Sequence, residues 1–425
     1  MPQVSEGAIL RKLTGRLIPF LFLLYIVAYL DRVNVGFAKL QMNQALGFSE
    51  QVYGFGAGIF FLGYFLFEIP SNLILERVGA RRWIARIMFT WGLLAMAMAF
   101  TRSAFSFYSL RFLLGLAEAG FFPGIILYLT YWFTAAERAR IIALFMTATA
   151  ISNVIGSPIS GALLTLHGLG RLDGWQWLFL LEGLPAVLLG FVVLLYLPDG
   201  PQQARWLRPE EREWVTERLE IERRYKESLG HFTLRKALGN PMVWRLSLLY
   251  FLLVVGMYGI TLWMPTIIKN FSGLQNWQVG LLAAIPYIGA AVGMVLNGQH
   301  SDETGERRKH IAIPAFIGAA GLAASAVPNL SPGLTLVALV VAAPGMWATL
   351  GPFWSLPTAF LSGTAAAGGI ALINSVGNLG GFVGPYLVGW IKDTTHSFAG
   401  GLLFLAGSLL LGSLLALTAR HEGAR

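Results

Sequence analysis

The chain is predicted to be an all-α membrane protein: twelve transmembrane helices in two pseudo-symmetric six-helix bundles. Three observations predict it. Of 425 residues, 56% are hydrophobic and only 12% charged, with a mean hydropathy of +0.63, whereas soluble domains carry about a quarter charged residues. Apolar stretches long enough to cross a bilayer recur along the whole length. A polar segment near the middle separates six of them from six more, and one loop signature recurs in both halves.

The first six spans are expected near residues 17–38, 52–75, 83–101, 105–132, 137–165 and 177–197. The second six are expected near 246–268, 279–298, 311–328, 333–361, 366–391 and 398–419. The first run carries Asp31 and Arg32, and no small-x-small site follows it before the next run, so it is read as a retained span. The chain then divides into an N-terminal bundle over 1–197, a cytoplasmic central loop over 198–245 and a C-terminal bundle over 246–425. In that loop, Pro209, Glu210 and Glu211 open a segment that ends in Arg223, Arg224 and Lys226. This polarity suits a helix dipole, and a short helix tying the halves is expected.

Charge placement orients the spans. With both termini inside, 24 Lys and Arg fall on inside segments and five outside: Lys39, Arg102, Arg171, Lys269 and Lys392. The positive-inside rule therefore places both ends in the cytoplasm, and a bacterial inner membrane is the expected location. The same bias accounts for the net charge of +9. The central loop offsets 10 basic residues with 8 acidic ones, so no nucleic-acid partner is expected.

Several chemistries are excluded. With no cysteine there is no disulfide, thiolate nucleophile or cysteine-held metal. None of the seven lysines precedes Ser or Thr, which removes the phosphate cradle of ATPases. Neither G-x-S-x-G nor H-E-x-x-H occurs, and the six histidines lie in loops or at span ends. No enzyme activity, cofactor or metal is expected. The bilayer and a small molecule are the expected partners, and the monomer is the expected working unit.

Setting the inside and outside residues aside leaves two basic residues within the membrane, Arg32 and Arg111. Charges at that depth cost a few kcal/mol and normally face a bundle interior or a wet cavity. The acids inside spans are Asp31, Glu68, Glu118 and Glu182. Arg111, Gly115 and Glu118 share one stripe of the fourth span, with the glycine letting another backbone approach between the charges. At 1.5 Å per residue, Asp31 and Arg111 each lie about 10 Å from the outer end of their span, and Glu118 lies about 20 Å deep. A contact between Asp31 and Arg111 is therefore expected, with Glu118 left without an obvious cation: two unlike proton sites. Arg32, about 100° around the helix from Asp31, is then free to face a central cavity and fork onto a carboxylate. A static interhelical pair is the plainer reading, but a buried pair stabilises poorly against apolar packing.

The loop after the second span reads Asn72, three residues, then Glu76-Arg77-Val78-Gly79-Ala80-Arg81-Arg82. The loop after the eighth reads Gly298, three residues, then Asp302-Glu303-Thr304-Gly305-Glu306-Arg307-Arg308. Glu76 and Asp302 can cap helices, Gly79 and Gly305 permit tight turns, and Arg81 and Arg307 sit at headgroups, so each loop can latch two helices. This resembles the major facilitator superfamily pattern G-x-x-x-D-[RK]-x-G-[RK]-[RK]. The second copy is close, and the first departs at Asn72, Glu76 and Ala80.

Three further stretches are similar to the anion:cation symporter branch, which includes tartrate, aldonate and aromatic-acid permeases. They run from Tyr29 to Asn34, from Arg111 to Gly124 and from Asn374 to Gly381. The resemblance implies import of a small organic anion with protons by alternating access. It also implies substrate and proton roles for Arg32, Asp31, Arg111, Glu118 and Tyr64. In the implied cycle Asp31 and Glu118 load protons from outside, Arg32 engages the carboxylate, and Glu118 releases its proton inward.

Tyr64 reads equally as a packing aromatic. Asn374 and Asn378, at i and i+4, read as interhelical glue or as partners for substrate oxygens. Glu68 and Glu182 are set aside as capping or interfacial residues. Gly156-Ser157-Pro158 and Gly384-Pro385 are read as kinks or close packing. A proton-antiport exporter of drugs or metabolites is the first alternative. A non-transporting scaffold has no need of charges at mid-depth.

Overall fold

A computed structural model describes residues 6–228, 239–360 and 364–418. Every regular element among them is helical, and they make twelve spans. The first runs over Glu6–Leu46, with a one-residue irregularity at Asn34. The second to sixth cover Glu50–Val78, Ala80–Phe100, Ala104–Thr130, Ala135–Leu163 and Gly174–Tyr196. The seventh to ninth are Pro241–Ser272, Asn276–Thr304 and Arg308–Ser325. The tenth is made of Pro332–Trp347 and Leu350–Phe360, the eleventh of Thr364–Asn378 and Gly380–Thr395, and the twelfth is Ala399–Leu417.

Helix ends follow local chemistry. Ser49, Ser103 and Ser331 accept backbone N–H groups at the starts of the second, fourth and tenth spans. Positive-φ glycines end the first, seventh and eighth, at Gly47, Gly273 and Gly305. The fourth span breaks directly after Glu118, where Gly120 takes φ +85° against Ser71. Its counterpart in the second half, the tenth, breaks after Trp347. Such mid-membrane breaks are tolerated where helices bury them or a cavity wets them.

The connection after the sixth span contains the expected helix, Pro209–Ser228. Its ion pairs to Glu6, Lys12, Glu137 and Arg138 are all made with the first half. The helix therefore docks on one bundle, and the described ion pairs do not show it tying the two.

The halves meet mainly at the end away from the termini, and close packing explains the glycines there. Gly54 and Gly58 of the second span lie against the backbone of Pro385 and Phe382 in the eleventh. Gly161 and Gly280 bring the fifth and eighth spans together. A side chain at any of these positions would overlap main-chain atoms. Gly384 lies against the Val255 carbonyl and Pro385 accepts the Trp263 Nε1–H at 3.1 Å, so that pair serves close packing, as expected.

Candidate functional site

Arg32 reaches the centre of the interface from the first span. Its Nη2 and Nε donate to Glu118 Oε1, the latter at 3.1 Å, and its Nη1 donates to the Tyr258 hydroxyl at 2.8 Å. The guanidinium also lies 5.8, 5.5 and 5.3 Å from the ring centres of Tyr29, Phe60 and Tyr64. An aromatic cage of this kind favours a cation with few carboxylates near it. Glu118 is fully buried, and its second oxygen has no hydrogen-bond partner among the described residues.

The expected contact between Asp31 and Arg111 is not formed. Asp31 accepts the Trp91 indole N–H at 2.7 Å and approaches the Asn34 amide at 3.5 Å. Arg111 donates to the Ala57 carbonyl at 3.0 Å and lies 4.9 Å from the Phe60 ring centre. The reason is the length of the first span, which continues as helix to Leu46 through polar residues that the apolar run to 38 omitted. Counted from Leu46, Arg32 is fourteen residues deep, as is Glu118 counted from Ala104, so both lie about 21 Å down and meet. Arg111, seven residues nearer the surface, is stranded above them. Gly115 performs as expected, lying against the Phe60 carbonyl of the second span.

A small cavity of about 40 Å³ lies beside the pair. Arg32, Tyr64, Tyr25 and Tyr29 line it from the first half, and Tyr250, Tyr258, Trp354, Asn374 and Asn378 from the second. This is the space of a water or two, so admitting an organic acid requires the walls to part. The two asparagines differ. Asn374 is engaged by Glu68, whereas Asn378 faces the cavity with no side-chain hydrogen bond among the described residues. Trp354 adds an indole N–H without a partner among the described residues.

Three residues are not placed in the site by the sequence reading. Tyr258 and Trp91 carry no charge and resemble any other aromatic in an apolar helix. Glu68 had a usable signal, since it stands one turn from Tyr64 on the same stripe. It is fully buried rather than capping, and accepts from Asn374 Nδ2 and Ser375 Oγ, each at 2.5 Å. Glu182 accepts from Ser160 at 2.6 Å, an interhelical network within the first half.

The two loop signatures share a positive-φ glycine but differ in backbone and in bonding. Gly79 and Gly305 both take positive φ, +94° and +66°. Arg81 reaches Asp199 beyond the sixth span at 3.3 Å, latching separate connections. Arg307 instead turns back to Asp302 at 2.5 Å and Ser301 at 2.9 Å. Asp302, inside the last turn of the eighth span, therefore does not cap; Glu306 does, accepting the Lys309 N–H at 2.8 Å. The Glu76 side chain lies outside the described residues. No cluster able to hold a metal occurs among the described residues.

Comparison with known proteins agrees with this architecture. The model of the Major Facilitator Superfamily matches residues 21–385. A protein of Agrobacterium vitis named "Putative tartrate transporter" is 55% identical over 412 residues, covering 97% of this chain and 91% of its own. The "Quinolone resistance transporter" of Acinetobacter baumannii is 44% identical over 410 residues, covering 96% and 94%. The solved structure of a bacterial homolog to the human lysosomal transporter Spinster, inward-facing and unoccupied, superposes with a TM-score of 0.75 at 18% identity, covering 97% of this chain and 99% of that one. At such identity the last likeness shows the fold. These relatives are transporters and not enzymes, and a twelve-span bundle with a charged site at its centre suits transport equally well here. The chain is a multi-pass membrane transporter and belongs to the Major Facilitator Superfamily.

Proposed function

We propose that the protein imports a small organic anion together with protons, rocking residues 1–197 against 246–425 about the central cavity. The pairing of Arg32 with Glu118 carries this reading. While Glu118 is ionised it occupies the guanidinium. A proton on Glu118 frees Arg32 to fork onto a substrate carboxylate, so anion and proton binding assist each other by reciprocal linkage. Asp31, held by Trp91, is the second proton carrier, and Arg111 a fixed charge that biases both. Asn378 and Trp354 offer donors for further oxygens of the substrate.

The substrate is a carboxylate such as tartrate, a sugar acid or an aromatic acid, in line with the name of the Agrobacterium relative. The charge bias makes the terminus end cytoplasmic. The packed opposite end then faces outward, and the state described is closed to the outside.

The test is uptake of labelled tartrate, gluconate and benzoate into proteoliposomes under an imposed pH gradient. Accumulation above equilibrium that collapses with the gradient supports the reading. Failure to accumulate any of the three overturns it. The quinolone-resistance relative favours a second reading, a proton-antiport exporter. That reading predicts quinolone extrusion, proton flow in the opposite sense, and insensitivity to Arg32→Ala for neutral cargo.

A further inference from the structure

Glu68 lies one turn beyond Tyr64 toward the terminus end, fully buried, between the cavity and the side on which the halves are less tightly packed. Both of its oxygens are bonded by the eleventh span: Oε1 by Asn374 Nδ2 and Oε2 by Ser375 Oγ, each at 2.5 Å. The carboxyl thus joins the halves through two neutral donors. The charged or titratable groups acting on it are Arg32 of the first span, Tyr64 of its own and Tyr250 of the seventh. Arg32 is committed to Glu118, and none of the three is paired with Glu68.

Asn374 has two demands on it. Its side chain lines the cavity and also donates to Glu68. We propose that Glu68 is a further coupling carboxyl, beyond Glu118 and Asp31, competing with the bound anion for the amide N–H groups of Asn374. An anion that draws the Asn374 amide toward itself takes the donor from Oε1, and a buried ionised carboxylate short of a donor is unfavourable. A proton taken from solvent removes the conflict, because the neutral acid needs fewer donors and its own O–H can be accepted by Ser375 Oγ. Anion binding therefore favours protonation of Glu68, and protonation favours binding. When the halves part on the terminus side, water reaches the carboxyl and the proton can leave that way. The inference rests on the anion-symport reading and adds to it a residue, a partner and a release route.

Calorimetric titration of the purified full-length protein with L-tartrate, gluconate and benzoate, in buffers of different ionisation enthalpy, counts protons taken up per anion bound. Each coupled proton makes affinity rise up to about tenfold per unit fall in pH. We expect Glu68→Gln to take up fewer protons than wild type and to show a shallower pH dependence of affinity. Asn374→Ala, which removes the contested donor but keeps the carboxyl, should do the same, and it carries the test if Glu68→Gln does not fold. Wild-type proton uptake unchanged in both variants overturns the role of Glu68 and leaves the symport reading standing. Binding without proton uptake in the wild type, or no binding of any of the three anions, overturns both.

Discussion

Asp393, near the end of the eleventh span, accepts the backbone N–H of Gln51 at 2.6 Å, and that of Glu50 at 3.1 Å. A carboxylate of one half thus caps a helix of the other. Lys39, 2.8 Å from Glu50 and 4.8 Å from the Trp263 ring centre, closes the same corner. Every alternating-access scheme must break this cap to open that end.

Asp393→Asn should weaken the closure, since a charged cap at a helix N-terminus is worth about 1 kcal/mol. The chain has no cysteine, so a single cysteine at Tyr386, beside Gln51, reports the opening. We expect its alkylation by an impermeant maleimide to speed up several-fold in the variant; an unchanged rate argues that the cap does not hold the state.

Arg32→Ala should destabilise more than its loss of contacts suggests. It leaves Glu118 buried and unpaired, and breaking a buried ion pair costs about 3–5 kcal/mol. Thermal unfolding should therefore show Arg32→Ala well below wild type and the double variant Arg32→Ala/Glu118→Gln partly recovered, with tartrate uptake lost in both. Arg32→Lys keeps the charge but loses the planar fork, and tartrate transport should fall at least tenfold.

Glu118→Gln permanently mimics the protonated acid. Gradient-driven accumulation should be lost while exchange of internal for external tartrate persists. Unchanged accumulation would remove Glu118 from the coupling scheme.

Gly115→Val tests the packing between the second and fourth spans. Any Cβ there meets the Phe60 carbonyl, and overpacking typically costs about 1–3 kcal/mol. A melting temperature equal to wild type would show that the two helices can separate freely.

Outside the membrane, Glu211 anchors the Pro209–Ser228 helix. Burial works to raise its pKa, but the Lys12 ammonium at 2.6 Å and the Arg208 N–H at 2.8 Å prevail and hold it below the ordinary carboxylate range. A lowered folded-state pKa contributes stability above the free value of about 4.3, and that stability is lost as pH falls through the lowered value. Hydrogen-exchange protection across residues 209–228, taken relative to the intrinsic rate at each pH, should fall on acidification below about pH 4 and should already be lower in Glu211→Gln at neutral pH.

The twelve spans were legible because an apolar run of about 20 residues has few other stable fates in a bilayer. The charges buried within the membrane were legible for the same reason, since an arginine or carboxylate at that depth needs a partner or a wet cavity. Arg32, Glu118, Tyr64, Asn374 and Asn378 do line or adjoin one cavity. Their partners were not legible. Hydropathy stops counting a helix where its residues turn polar, so the eight residues from Lys39 to Leu46 were left out, and with them the register that sets Arg32 level with Glu118 and not with Arg111. Glu68 looked like a capping acid until the eleventh span came to lie against it. Composition and periodicity determine which segments cross the membrane and which residues are too polar to be there by chance. Only the packing of one helix on another decides which of those residues touch, because a contact depends on depth and rotation together, and neither is a property of a single span.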